Sequence, residues 1–252
     1  MAKNDDPVIS PTDVIEALHL LTRLPVPFSS CPRGASAAWA YPMAGLVVGA
    51  LAAATGLVAH AMGLPAPLCG LFALASIILS TGALHEDGLA DTADGLWGGW
   101  TQDRRLEIMK DSRIGAYGVI ALFLGLSARW AALWMLFSAD PSVAAASILV
   151  AATASRAMMP PVMAVVPNAR QDGLSAQVGD VPLTAALVAV IIALIIAVIF
   201  SGWGGLMALI WASIVAFGVA WFAMKKIGGQ TGDILGATQQ VAEIAILMSL
   251  VA

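Results

Sequence analysis

Only 11% of the 252 residues are charged and 60% are hydrophobic, with a mean hydropathy of +0.87, whereas an ordinary soluble domain carries roughly 25% charged residues. A water-soluble fold of this length cannot hide so much apolar surface, so the bilayer is the expected solvent. The formal net charge of −4 gives no general attraction for nucleic acid, and an anionic substrate would need a metal or a local Arg/Lys cluster.

The chain opens on a polar stretch containing Lys3, Asp5, Asp6, Asp13 and Glu16. It lacks the basic start, short apolar core and small-residue site of a signal peptide, so none is expected to be cleaved. Residues 12–24, with Val14, Ile15, Leu18 and Leu21 before Pro25-Val26-Pro27, suit a short amphipathic helix at the membrane interface. Cys31 and Cys69 lack metal-type spacing and read as inert thiols.

No Asp, Glu, Lys or Arg occurs from Gly34 to Leu84 or from Leu183 to Met224. Each gap has room for two spans of about 20 apolar residues. Seven spans are predicted, over 39–62, 66–84, 115–137, 142–166, 183–200, 203–223 and 234–251. The expected fold is therefore all-α: a polytopic transmembrane helical bundle forming a single catalytic domain over 1–252, with a short N-terminal interfacial helix. Gly and Ala spread through the spans favour close helix packing.

Short loops that stay in the cytoplasm are enriched in Lys and Arg. Lys3, Arg23 and Arg33 precede the first span, Arg104, Arg105, Lys110 and Arg113 follow the second, Arg170 follows the fourth, and Lys225 and Lys226 precede the seventh. The connections at 63–65, 138–141 and 201–202 have none. The N-terminus and every polar loop with chemical content then face the cytoplasm.

The densest polar cluster is HEDGLADTADGLWGGW from His85. On a helix, Asp87, Asp91 and Asp94 at i, i+4 and i+7 lie within about 60° of one face. Three like charges there repel one another unless a cation sits among them. Hard oxygen ligands suit Mg²⁺ or Mn²⁺, which share coordination with substrate phosphates. Gly88 and Gly95 would let a bulky phosphorylated ligand approach the backbone. His85 suits capping or hydrogen bonding to a ligand residue as well as metal ligation. The alternative, a solvated acidic loop, fits poorly with acids alternating with Leu, Ala and Gly at the mouth of a span.

In the following stretch, RRLEIMKDSR from Arg104, a helix would align Arg104, Glu107 and Asp111 and pair Lys110 with Arg113. Cations beside a carboxylate site neutralise charge on a leaving phosphate; the plainer reading is a positive-inside signal alone, and the two are compatible. The turn KKIGGQTGD from Lys225 could hold a phosphate on free N–H groups, with Asp233 reaching a metal. Asp233, Gly236, Gln240 and Glu243 then form one polar stripe pointing into the bundle. Arg129 and Arg156 lie inside spans, as structural ion pairs or phosphate contacts, with Glu243 the candidate partner of one. Arg170 reads as a loop contact to phosphate or ribose.

HEDGLADTADGL from His85, RRLEIMKDSRIGAYG from Arg104, KKIGGQTGDILGA from Lys225 and the early LLTRLPVP from Leu20 resemble the cobalamin synthase family, the adenosylcobinamide-GDP ribazoletransferases. The resemblance covers nearly the whole chain in order. It implies transfer of adenosylcobinamide phosphate from adenosylcobinamide-GDP to α-ribazole or its 5′-phosphate, with Mg²⁺ required and GMP released, at the bacterial inner membrane. Asp87, Asp91 and Asp94 are then expected to bind metal. Asp91, Asp94, Asp111 and Asp233 are the catalytic candidates, and Arg104, Lys110, Arg113, Arg170, Lys225 and Lys226 are expected on the donor phosphates. A homo-oligomer is open.

Two other classes compete. Asp91-Thr92-Ala93-Asp94-Gly95 echoes the opening DxxDG of CDP-alcohol phosphotransferases, but Leu96-Trp97 stands where that family has an Ala-Arg pair. A cation-coupled transporter would place its charges at the midplane in paired halves, and no paired halves are visible. Reporter fusions after Gly63 and after Arg113 are expected to report opposite sides of the membrane; finding both on one side would defeat the seven-span topology.

Overall fold

The computed structural model describes residues 9–27 and 32–252; Cys31, Lys3, Asp5 and Asp6 lie outside them. The described residues form α1 (Thr12–Leu21), a 3-10 turn (Gly34–Ala40), α2 (Tyr41–Ala61), α3 (Ala66–Thr81), α4 (Leu84–Gly98), α5 (Gln102–Ile108), α6 (Ala116–Ala139), α7 (Pro141–Ala157), α8 (Met159–Val165), α9 (Leu174–Val178), α10 (Leu183–Ile227) and α11 (Gly232–Val251). This is the all-α bundle expected of the sequence.

Among the described residues five helices are long and apolar enough to cross a membrane, and α3 with α4 makes a sixth candidate, a span broken by an 85° bend. The seventh comes from α10. As one straight helix its 45 residues would extend about 68 Å, more than twice the ~30 Å hydrocarbon core. Gly202 breaks it with φ 52° and ψ −127°, a conformation open to glycine at low cost. A Cβ on Gly205 would lie 2.2 Å from the Ala197 carbonyl oxygen, which only a chain folded back on itself allows. The two arms, 183–201 and 203–227, are thus a tight helical hairpin, as the separate spans 183–200 and 203–223 anticipated.

The ends sort into two groups. At one, Ser142, Val143, Phe200, Ser201, Gly204 and Ser249 line a common hollow. At the other, polar end, α4, α5, the start of α6, the 166–173 loop, α9 and the start of α11 meet. Helix α1 packs there on the 3-10 turn and α2. Its Asp13 is fully buried and accepts from Trp39 Nε1 (2.6 Å) and Arg33 Nη1 (2.7 Å).

Close packing comes from small residues, the membrane solution where lipid supplies no hydrophobic drive between helices. Gly45 lies where a Cβ would fall 2.2 Å from Ala152 O, so α2 and α7 touch backbone to backbone. Likewise Gly88 of α4 meets Gly236 of α11: a Cβ on either would come within 3.2 Å of the other's Cα, and one on Gly88 within 2.9 Å of Asp233 O. Leucine at 236 has no room without parting these helices. Gly236→Leu is expected to lower the thermal midpoint in detergent by several degrees, on the scale of overpacking at about 1–3 kcal/mol; an unchanged midpoint would refute the contact.

Candidate active site

The Gly88–Gly236 crossing decides which carboxylates meet. It sets the first turn of α11 against the middle of α4, so Asp233 joins Asp87 and Asp91, and the charged neighbours of Asp91 are Asp87, Asp233, Asp94 and Arg170. Asp91 is half-buried and makes no hydrogen bond among the described residues. Asp233 accepts from Arg170 Nη2 (3.2 Å) and from the Thr231 hydroxyl (3.1 Å).

Asp94 faces elsewhere. Its two oxygens accept from the N–H groups of Gly115 (2.7 Å) and Gly118 (2.9 Å), so it caps the start of α6, where free N–H groups and the helix dipole favour a carboxylate. Cβ atoms at Gly115 or Gly118 would strike it. Helix spacing put the three carboxylates on one face, but α6 arrives against that face and engages the last of them. Among the described residues, no group of three or more His, Cys, Asp and Glu side chains is arranged as a metal ligand set.

The glycines of α4 admit neighbouring helices and side chains, and Gly88 also lines the cavity beside Asp87 and Asp233. Gly88 takes α11, and Gly95 takes the Met109 side chain and the Arg105 carbonyl. The Gly-rich turn before α11 is similarly committed. Gln230 N donates to Pro167 O and Ala169 N to Gln230 O (both 2.8 Å), while the Gln230 amide and Ser175 hydroxyl close a network with Asn168. The Gln230 N–H and carbonyl together fasten the 166–173 loop, and that loop carries Arg170 onto Asp233. Lys225 and Lys226 turn away, with their ammonium groups over the rings of Trp221 (3.9 Å) and Phe222 (5.3 Å); neither lines the cavity beside the acids.

Helix α5 stops at Ile108, so Asp111 lies beyond it rather than on the face of Arg104 and Glu107. Asp111 pairs with Arg113 (2.6 Å) at the surface, and the Arg113 hydrogen bonds hold its carboxyl down at about 2. No hydrogen bond or ion pair joins this couple to α4 among the described residues. Arg104 pairs with Glu107 (2.6 Å), also exposed. Lys110 instead reaches Asp172 (2.5 Å), which ties the 101–113 segment to the Arg170 loop. A shallow hollow lined by Asp103, Leu106, Glu107, Lys110 and Arg170 results, so Arg170 separates two basins, one reaching Lys110 and the other Asp87 and Asp233.

That second basin is a cavity of about 140 Å³ with Asp87, Asp233, Arg170 and His85 on its polar side. Ligand pockets for drug-sized molecules run roughly 300–1,000 Å³, so it takes one part of a large substrate. Its apolar wall comes from Leu20, Tyr41, Met159, Met163, Leu174 and Val178, most of which sequence spacing gave no reason to single out.

Beneath the site lies a buried ionic core. Arg129, fully buried on α6, donates from Nη1 to Glu86 Oε1 (2.6 Å) and Gln240 Oε1 (2.9 Å), from Nε to Glu243 Oε1 (2.9 Å), and pairs again with Glu243 through Nη2 (2.8 Å). Gln239 extends the network from Glu243 to Ser155 of α7. The inward stripe on α11 and the Glu243 partnership thus match the sequence reading. Glu86, adjacent to Asp87, was not foreseen. Arg156 is also fully buried and donates to Ala152 O (2.9 Å), while its Nε and Nη2 have no hydrogen-bond partner among the described residues.

Fold and site together define a polytopic membrane protein with carboxylates and an arginine gathered at one end of the bundle. Residues 13–251 match the family described as cobalamin-5-phosphate synthase. The chain is 46% identical to the adenosylcobinamide-GDP ribazoletransferase of Bradyrhizobium diazoefficiens, covering 94% of this chain and 92% of that one. It is 42% identical to proteins of the same name from Mesorhizobium japonicum (94% and 91% covered) and Azorhizobium caulinodans (94% of each). No solved structure matches. The chain belongs to the cobalamin-5-phosphate synthase family.

Proposed function

We propose that this protein is an adenosylcobinamide-GDP ribazoletransferase of the bacterial inner membrane, with its active site open to the cytoplasm. The observation that carries the reading is the meeting of Asp87, Asp91 and Asp233 with Arg170 at the end of the bundle where Lys and Arg concentrate. The names of the relatives supply the substrates: adenosylcobinamide-GDP as donor and a ribazole-type acceptor.

In this reaction an acceptor ribose hydroxyl oxygen forms a bond to the phosphorus that carries cobinamide. The bond from that phosphorus to the bridging oxygen breaks, and GMP leaves with the electron pair. Arg170, between the two basins, is placed to contact both phosphates and offset charge on the leaving one. Lys110 lies across the adjoining hollow for the far end of the donor. Asp91, with no hydrogen bond of its own, has lone pairs free for a cation or for the hydroxyl proton.

The donor set fits Mg²⁺. Around Asp91 three carboxylates face one cationic side chain, and Mg²⁺ is commonly held by one or two carboxylates with substrate phosphates and water completing its octahedron. Asp91 with one of its neighbours Asp87 or Asp233 would offer the ion its protein carboxylates, and its chemistry there would be neutralisation of the pyrophosphate. Asp94, engaged with α6, serves instead to fix the end of α4. The acid-rich helix and one-ended charge distribution favour this reading over a transporter.

Purified protein given Mg²⁺, adenosylcobinamide-GDP and α-ribazole is expected to release GMP and form adenosylcobalamin, and chelation should stop it. Asp91→Asn is expected to reduce turnover at least ~100-fold with an unchanged melting profile, the scale of losing one strong electrostatic contribution to a transition state. No product from the unaltered protein, or full activity in Asp91→Asn, would overturn the assignment.

A further inference from the structure

We infer that the 140 Å³ cavity beside Asp87 and Asp233 is the acceptor subsite, with its apolar wall taking the aromatic base of the riboside and His85 meeting the sugar. This rests on the ribazoletransferase reading and adds to it which substrate enters where.

The wall is the first argument. Leu20 of α1, Tyr41 of α2, Met159 and Met163 of α8, and Leu174 and Val178 of α9 come from four separate helices to enclose a mostly apolar space. A benzimidazole is a flat, bicyclic, largely apolar ring of the size such a space admits. The donor's parts suit it poorly: guanine needs several hydrogen-bonding partners that this wall lacks, and a corrin ring is far too large. Burial of an unpaired polar edge costs roughly 1–3 kcal/mol, so a wall of Leu, Met and Val selects for the apolar base and against guanine. Two methionines add adaptable, polarisable contacts to a ring.

The second argument is the polar side. His85 is 2% exposed, lines this cavity, and its Nε2 has no hydrogen-bond partner among the described residues. Arg170 lines the same cavity, and its buried Nη1 is likewise without a partner among them. Buried polar atoms in native folds are nearly always hydrogen-bonded, and both of these belong to residues that line the cavity. A riboside with its base on the wall presents its hydroxyls to His85, Asp87 and Asp233. Its attacking oxygen is then beside the carboxylates, while Arg170 remains between this cavity and the donor hollow. Proximity of this kind is the main contribution a site with no covalent chemistry can make.

The test separates the two substrates in steady-state kinetics with Mg²⁺, adenosylcobinamide-GDP and α-ribazole. Leu174 lies on a short surface helix and is 44% exposed, so Leu174→Trp narrows the cavity without disturbing the bundle. We expect the acceptor KM to rise at least about tenfold, the scale on which a pocket registers one or two excess groups, with the donor KM within about twofold of normal. The unmethylated benzimidazole riboside should lose less than the dimethyl one. Val178→Ala, which widens the same wall, should improve turnover of a riboside with a larger tricyclic base. A rise in donor KM with acceptor KM unchanged would assign the cavity to the donor and overturn the proposal, as would normal kinetics for both substrates in both variants. Absence of any transfer in the unaltered protein would instead overturn the functional reading itself.

Discussion

A buried arginine between two buried carboxylates is the constraint on which the site depends. Charges taken into a bilayer-embedded bundle are costly unless paired and hydrogen-bonded, and Arg129 meets that demand with groups from different helices: Glu86 on α4 and Glu243 and Gln240 on α11. The pairing leaves those helices little freedom to slide or rotate. Because Glu86 immediately precedes Asp87, and Asp233 lies on the helix that carries Gln240 and Glu243, the ion pair sets the separation of the carboxylates above it. The Gly88–Gly236 contact closes the helices to backbone distance, and the ionic core fixes their register.

From this frame the polar end assembles by further capping and clamping. Asp94 of α4 caps the start of α6, and the 166–173 loop is stitched to the turn before α11 so that Arg170 stands over Asp233. These contacts link residues distant in sequence, those between neutral groups contributing roughly 0.5–1.5 kcal/mol each and those to the Asp94 and Asp233 carboxylates about 1.5–3 kcal/mol. They position the irregular run Pro167-Asn168-Ala169-Arg170 against α11. The short helices α1 and α9 then cover one side and create the apolar wall facing the acids.

Much of this was legible in the sequence. Charge-free runs located the spans, including both arms of α10, and the polar stripe from Asp233 to Glu243 and the partnership of Glu243 with an intramembrane arginine followed from helical spacing. What spacing could not supply was the neighbour across each face. Asp87, Asp91 and Asp94 do share a face, but α6 meets one end of it and α11 the other, so the last carboxylate becomes a cap while Asp233 takes its place. Gly95 looked like space for a ligand and takes Met109 and the Arg105 carbonyl, while Gly88 both meets α11 and borders the cavity beside the acids. Lys225 and Lys226 looked like phosphate ligands and lie over the rings of Trp221 and Phe222. Asp111 fell past the end of a helix that stops at Ile108, and the wall around Tyr41 emerges only when distant segments pack.

The central claim is that the Arg129 ion pairs hold the acidic helix in place. It is tested most directly by comparing Arg129→Met with Arg129→Met/Glu86→Gln/Glu243→Gln in thermal unfolding and turnover. Removing one partner of a buried pair typically costs about 3–5 kcal/mol, because it strands uncompensated charge. The single variant should therefore melt well below the unaltered protein and lose activity, and the triple variant should recover most of the stability. If Arg129→Met melted and turned over normally, the ion pairs would not be what positions the site.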